Sequence, residues 1–210
     1  MLSRLRGGVG RLFTPVARGL LRMGVSPDAV TIAGTLGVVV SALWLFPQGH
    51  LFAGTMLCWF FAMSDAVDGL MARMSGRTGP WGAFLDSTLD RIADAAIFTG
   101  LVLWLAGGGD DPIGAVLALA CLVLGSVVPY ARARAEGLGM TASVGIAERA
   151  DRLTVALTAA GLVGLGVTPA LLTVVLGLLT VASLITIVQR MVVVRRQCTS
   201  IAGDDGTEAR

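Results

Sequence analysis

Apolar residues dominate six stretches of this chain, at about 27–46, 51–73, 83–106, 112–135, 149–166 and 168–191. Each approaches the roughly 20 residues that a helix needs to cross about 30 Å of hydrocarbon. Turn-forming clusters separate them: PQG at 47–49, SGRTGP at 75–80, GGGDDP at 107–112, EGLGMTASVG at 136–145 and GVTP at 166–169. Irregular backbone cannot face lipid, so the pattern predicts an all-α membrane protein of six transmembrane helices joined by short loops.

The ends of the chain depart from this pattern. In residues 1–24, Arg4, Arg6, Arg11, Arg18 and Arg22 alternate with Leu5, Leu12, Phe13, Val16, Leu20 and Leu21. That segment is too charged to span a bilayer and suits an amphipathic juxtamembrane helix on an anionic leaflet. Residues 25–197 form the six-helix domain, and residues 198–210 are expected to be a disordered tail.

Composition agrees with a membrane domain: mean hydropathy is +0.80, with 55% hydrophobic and 14% charged residues among 210. The net charge of +2 argues against a nucleic-acid partner. The chain contains no lysine, and the arginines gather at alternate helix ends: the amino-terminal segment, Arg73 and Arg77, Arg132 and Arg134, Arg149 and Arg152, and Arg190, Arg195 and Arg196. The positive-inside rule then places both termini, and this whole end of the bundle, in the cytoplasm. Cys58, Cys121 and Cys198 match no metal or redox spacing and read as packing residues.

The carboxylates collect at the same end. Asp65 and Asp68 share a helix face with Gly69 and Ala72, while Gly82, Asp86, Asp90 and Asp94 recur every four residues on the next helix. A short loop makes these helices antiparallel neighbours, so their carboxylates converge. An aspartate in a spanning helix costs about 2.5–3.5 kcal/mol, which argues against a merely solvated face. Oxygen ligands without histidine or thiolate select a hard cation, Mg2+ or Mn2+, and four carboxylates can hold two such ions. Paired ions at a carboxylate site suit phosphoryl transfer, and small residues at 69, 72 and 82 would admit a bulky phosphate ligand.

The run Asp65-x2-Asp68-Gly69-x2-Ala72-Arg73-x8-Gly82-x3-Asp86-x3-Asp90 resembles the signature of the CDP-alcohol phosphatidyltransferases. The resemblance implies that Asp65, Asp68, Asp86 and Asp90 bind two metal ions and that Asp90 is also the general base. It implies a donor site at Thr31, Asp65, Asp68, Gly69, Ala72, Arg73 and Gly82 for CDP-diacylglycerol, with CMP leaving, in a homodimeric enzyme of the cell membrane. Pro27 and Thr31 resemble the family's Pro-x3-Thr, although Ser26 and Pro27 also suit a plain helix start.

PYARARAEG at 129–137 and GIAERADR at 145–152 are similar to stretches in the actinobacterial members that use inositol 1-phosphate, with Arg132 where many have lysine. The implied acceptor-phosphate pocket is Arg132 and Arg152 with Arg190 or Arg195. Glycerol 3-phosphate is the rival acceptor, and a cation transporter with intramembrane aspartates is the rival from another class. Asp94, outside the signature, is either a second-row partner or a packing group.

Overall fold

The structure, a computed structural model, describes residues 13–208, with side chains as far as Thr199. The described residues are all-helical: α1 (residues 13–22), α2 (Pro27–Leu45), α3 (Leu51–Ala62), α4 (Ser64–Ser75), α5 (Pro80–Ala106), α6 (Pro112–Glu136), α7 (Arg149–Gly164) and α8 (Ala170–Glu208). Starts and stops follow local chemistry. Pro27, Pro80 and Pro112 occupy first turns, where a missing N–H costs nothing. The Ser26 hydroxyl caps α2 by accepting from the Ala29 amide at 3.2 Å. Gly76 closes α4 at φ 67°, a backbone region that glycine enters without strain.

Two differences from the sequence pattern are local. The second apolar stretch is divided at Met63, where the Ala66 amide bonds back three residues to the Met63 carbonyl and tightens one turn just before Asp65. At the carboxyl end the helix continues to Glu208, through residues expected to form a disordered tail. No proline interrupts it after Pro169, and an established helix gains one hydrogen bond per residue added. The arginines at 4, 6 and 11 of the expected juxtamembrane segment lie outside the described residues. In α1, Phe13, Ala17, Leu20 and Leu21 pack towards Val67 and Met71 of α4, while Arg18 and Arg22 are exposed.

Among the described residues, four helical spans are long and apolar enough to cross a membrane: Pro27–Leu45, Leu51–Ser75, Pro112–Glu136 and Ala170–Thr199. Of the six expected, the other two are α5, which carries Asp86, Asp90, Arg91 and Asp94, and α7, which has 16 residues. Large apolar side chains point outward, among them Trp44, Phe60, Val116 and Leu178, each about two-thirds exposed. Small residues fill the interior instead. A Cβ at Gly100 would strike the Ala42 carbonyl, and one at Gly164 the backbone of Leu51 and Phe52. Greasy outside and finely packed inside, the chain is an integral membrane protein.

Packing of α2 on α5, α5 on α6, α6 on α8 and α7 on α3 and α8 closes the bundle. The loops at 46–50, 107–111 and 165–169 lie at one end, and the charged helix ends meet at the other.

Candidate active site

Two cavities open at the charged end, one reached by Asp86 and the other by Asp90, one turn further along α5. The first, about 310 Å³, lies between the start of α2, α4 and the start of α5. Asp65, Asp68 and Asp86 border it together with Thr31, Gly69, Ala72, Arg73 and Gly82, so all of the residues expected to hold the donor line one space. Thr31, one turn into α2, donates its hydroxyl to Asp68 at 2.5 Å, which joins the α2 start to the α4 carboxylates. Asp28 accepts from the Trp81 indole at 3.1 Å and closes the rim. A Cβ added at Gly69 or at Gly82 would meet no atom within 4 Å. These glycines are not there for helix packing; they leave a cradle open.

The second cavity, about 380 Å³, is basic. Arg91, Arg132, Arg149, Arg152 and Arg190 line it, with Asp90 and Glu148. Arg152 is 1% exposed, and its NH2 reaches Asp94 at 3.1 Å and the Gly125 carbonyl at 3.4 Å. Sequence explains the second contact. Pro129 has no N–H for the carbonyl four residues back, which is that of Gly125, and a glycine there lets the guanidinium lie about 3.1 Å from the position of a Cβ. Among the described residues, the Nε and NH1 of Arg152 are buried without a hydrogen-bond partner, as is Nε of Arg91. Buried donors without acceptors are costly unless an anion visits them.

Arg190 donates through Nε to the Val144 carbonyl at 2.9 Å and through NH1 to the Val128 carbonyl. The loop at 137–148 is further tied to α8 by Thr186, whose hydroxyl accepts from the amides of Ile146 and Ala147. Arg132 is exposed and pairs with Glu136 at 2.8 Å. Arg195 is exposed and does not line the cavity, so of the two carboxyl-terminal candidates the fold brings only Arg190 to Arg132 and Arg152.

Asp94 and Arg149 lie outside the signature run, yet both belong to the site. Asp94 is buried and accepts from Arg149 Nε at 2.9 Å as well as from Arg152. Arg149 also extends NH1 to Asp90 at 2.8 Å and comes to 4.0 Å from Asp65. The available signal was spacing: Arg149 and Arg152 are one turn apart on α7, as Asp90 and Asp94 are on α5, so two charge ladders face each other. Arg91 approaches Asp90 at 3.7 Å.

The carboxylates are near enough to feel one another's charge, Asp65 that of Asp68 and Asp86, and Asp68 that of Asp86 and Asp90. Among the described residues no three acidic, histidine or cysteine side chains are drawn tightly enough to hold an ion as they stand. The donor set nevertheless fits a hard divalent cation. It consists of carboxylate oxygens beside an open cradle, and it already attracts a cation in the form of the Arg149 guanidinium. At the opposite end of the bundle, Asp111 caps α6 through the Gly114 amide and accepts from Thr173 of α8. Those hydrogen bonds, that from Thr173 foremost, hold its carboxyl below the usual aspartate range.

Residues 24–146 match the model of the CDP-alcohol phosphatidyltransferases. The chain belongs to that family. A phosphatidylinositol phosphate synthase of Streptomyces avermitilis is 50% identical over 205 residues, which cover 95% of this chain and 83% of the relative. The crystal structure of Mycobacterium tuberculosis phosphatidylinositol phosphate synthase with CDP-DAG bound superposes with a TM-score of 0.84 at 47% identity, covering 88% of this chain and 94% of that one. The same mycobacterial enzyme in complex with manganese and citrate gives 0.83 at 47% identity, covering 87% and 88%. Membership in an enzyme family leaves no support for the transporter reading. The matched region of this phosphatidyltransferase contains all four signature aspartates and the open cradle beside them.

Proposed function

We propose that this phosphatidyltransferase transfers the phosphatidyl group of CDP-diacylglycerol to inositol 1-phosphate, giving phosphatidylinositol phosphate and CMP. The observation that carries this reading is the succession of carboxylates along α5: Asp86 lines an acidic cavity with an open glycine cradle, and Asp90, one turn further on, lines a basic cavity in which buried guanidinium donors have no acceptor among the described residues. The relatives of about half identity are phosphatidylinositol phosphate synthases, and one of them holds CDP-DAG in its crystal structure.

Asp65, Asp68, Asp86 and Asp90 would hold divalent metal, Mg2+ or Mn2+ as two ions, which would supply charge neutralisation of the diphosphate and of the departing CMP. Manganese in the mycobacterial structure supports a divalent ion. Gly69, Ala72 and Gly82 admit the diphosphate, and Thr31 orients Asp68. Arg73 and Arg77, on the same rim, face its negative charge.

On the other side, Arg132, Arg152 and Arg190 receive the acceptor's phosphate by charge-assisted hydrogen bonds and so present its hydroxyl to Asp90. Asp90 takes the hydroxyl proton as the oxygen attacks the lipid-linked phosphorus. The new O–P bond replaces the bond to CMP, which departs with the electron pair. Since the acyl chains of the donor remain in the bilayer, α5 and α7 complete six spans. The arginine-rich end, with the active site and both termini, then faces the cytoplasm.

The test is a parallel assay of purified protein with CDP-diacylglycerol and inositol 1-phosphate, inositol or glycerol 3-phosphate, with and without EDTA. Inositol 1-phosphate should be the best acceptor, unphosphorylated inositol poor, and EDTA should abolish turnover. A preference for glycerol 3-phosphate would reassign the acceptor, and activity in EDTA would remove the metal from the reaction.

A further inference from the structure

Arg149 is the first residue of α7, and its guanidinium makes two contacts of different character. Nε grips Asp94 at 2.9 Å, and Asp94 is buried and held from its other oxygen by Arg152. That end is fixed. NH1 rests on Asp90 Oδ1 at 2.8 Å and faces Asp65 Oδ2 at 4.0 Å, and both of these carboxylates border open cavities. A guanidinium nitrogen 2.8 Å from Asp90 Oδ1 and a divalent ion on the same carboxylate repel each other and compete for its charge.

The geometry points to Arg149 as a built-in counter-cation that competes with divalent metal for Asp90, and this rests on the metal reading of the four aspartates given above. Converging carboxylates in a membrane bundle repel one another, and among the described residues no other arginine reaches so many of them: Arg149 touches three, while Arg91 and Arg152 each touch one. Its charge holds the cluster together before metal arrives. Room for it to withdraw exists, because Arg149 lines both the second cavity and a smaller one of about 160 Å³ between α2, α3, α5 and α7. Pivoting on Asp94, it can leave Asp90 without leaving the site. Arg149 is therefore a positioning residue, since it acts through Asp90.

Direct Mn2+ binding to the purified protein, without substrates, tests this through the resonance signal of free Mn2+. Arg149→Gln keeps hydrogen-bonding length and loses the charge. Removal of a competing charge-assisted contact should tighten Mn2+ about tenfold. Arg149→Lys keeps a charge but cannot bridge Asp90 and Asp94, so it should fall between wild type and Arg149→Gln; it decides the matter if Arg149→Gln does not fold. Simple structural damage would weaken binding, never tighten it. Affinity unchanged or weakened in folded variants overturns the competition while leaving the metal site intact. If the wild type binds no Mn2+, the metal reading itself falls, and the role of Arg149 with it.

Discussion

Arg152 and Asp94 form an ion pair at 3.1 Å in which both residues are buried, one on α7 and one on α5. Breaking a buried pair from one side strands the other charge, which costs about 3–5 kcal/mol. Asp94→Ala should therefore lower the stability of the detergent-solubilised protein by about that amount in a denaturant titration. Asp86→Asn, at an exposed position that forms no ion pair among the described residues, should leave the unfolding midpoint near wild type. Equal stability of Asp94→Ala and wild type would show that the pair is dispensable.

Gly69 and Gly82 lie within helices, yet a Cβ on either meets nothing. Alanine at these positions should stabilise the fold by about 0.5–1 kcal/mol through helix propensity and at the same time raise KM for CDP-diacylglycerol. The two effects have opposite signs, so a melting curve and a donor titration on Gly82→Ala separate them. A rise in stability with no change in donor KM would place the diphosphate elsewhere.

Asp90 is assigned to both metal and proton. Asp90→Asn should reduce kcat more than it weakens donor binding, because Asp65, Asp68 and Asp86 still border the first cavity. Single-turnover rates set beside equilibrium binding of CDP-diacylglycerol give the comparison, and near-normal turnover would reduce Asp90 to a ligand.

Arg190 and Arg195 differ by five positions on one helix and differ in surroundings. Loss of one charge-assisted contact to a phosphate is worth about 1.5–3 kcal/mol, so Arg132→Ala and Arg190→Ala should each raise KM for inositol 1-phosphate about tenfold or more. Arg195→Ala should remain close to wild type, since that side chain is exposed and outside the cavity. A large effect at 195 with none at 190 would reverse the assignment.

Asp111 gives a pH dependence at the far end of the bundle. Its carboxyl is held below the usual range, so the ionised form is the one favoured by folding. The stabilisation from it is complete above the unfolded value near 4 and is lost as pH falls through the depressed folded value. The difference in melting temperature between wild type and Asp111→Ala should therefore be largest near neutrality and shrink below about pH 4. A difference that grows on acidification would contradict the assignment.

Sequence alone determined that the described chain is all-helical, because long apolar stretches separated by glycine and proline clusters leave the backbone no other way to satisfy its hydrogen bonds in lipid. It determined the acidic cavity as well: periodicity places Asp65, Asp68, Gly69 and Ala72 on one face and Gly82 and Asp86 on the next, and a short loop brings the faces together. The basic cavity was not determined in this way. Arg132, Arg152 and Arg190 come from three helices separated by a long loop, and a cationic side chain at a helix end satisfies topology whether or not it lines a cavity. Only packing distinguished Arg190 from Arg195, through the Val128 and Val144 carbonyls that hold it inward. Only packing set Arg149 against Asp90 and Asp94, because the distance between charges on α5 and α7 depends on how closely the helices approach. Local spacing places a residue on a helix face; which helix that face meets is decided by the tertiary contacts of the small residues between them.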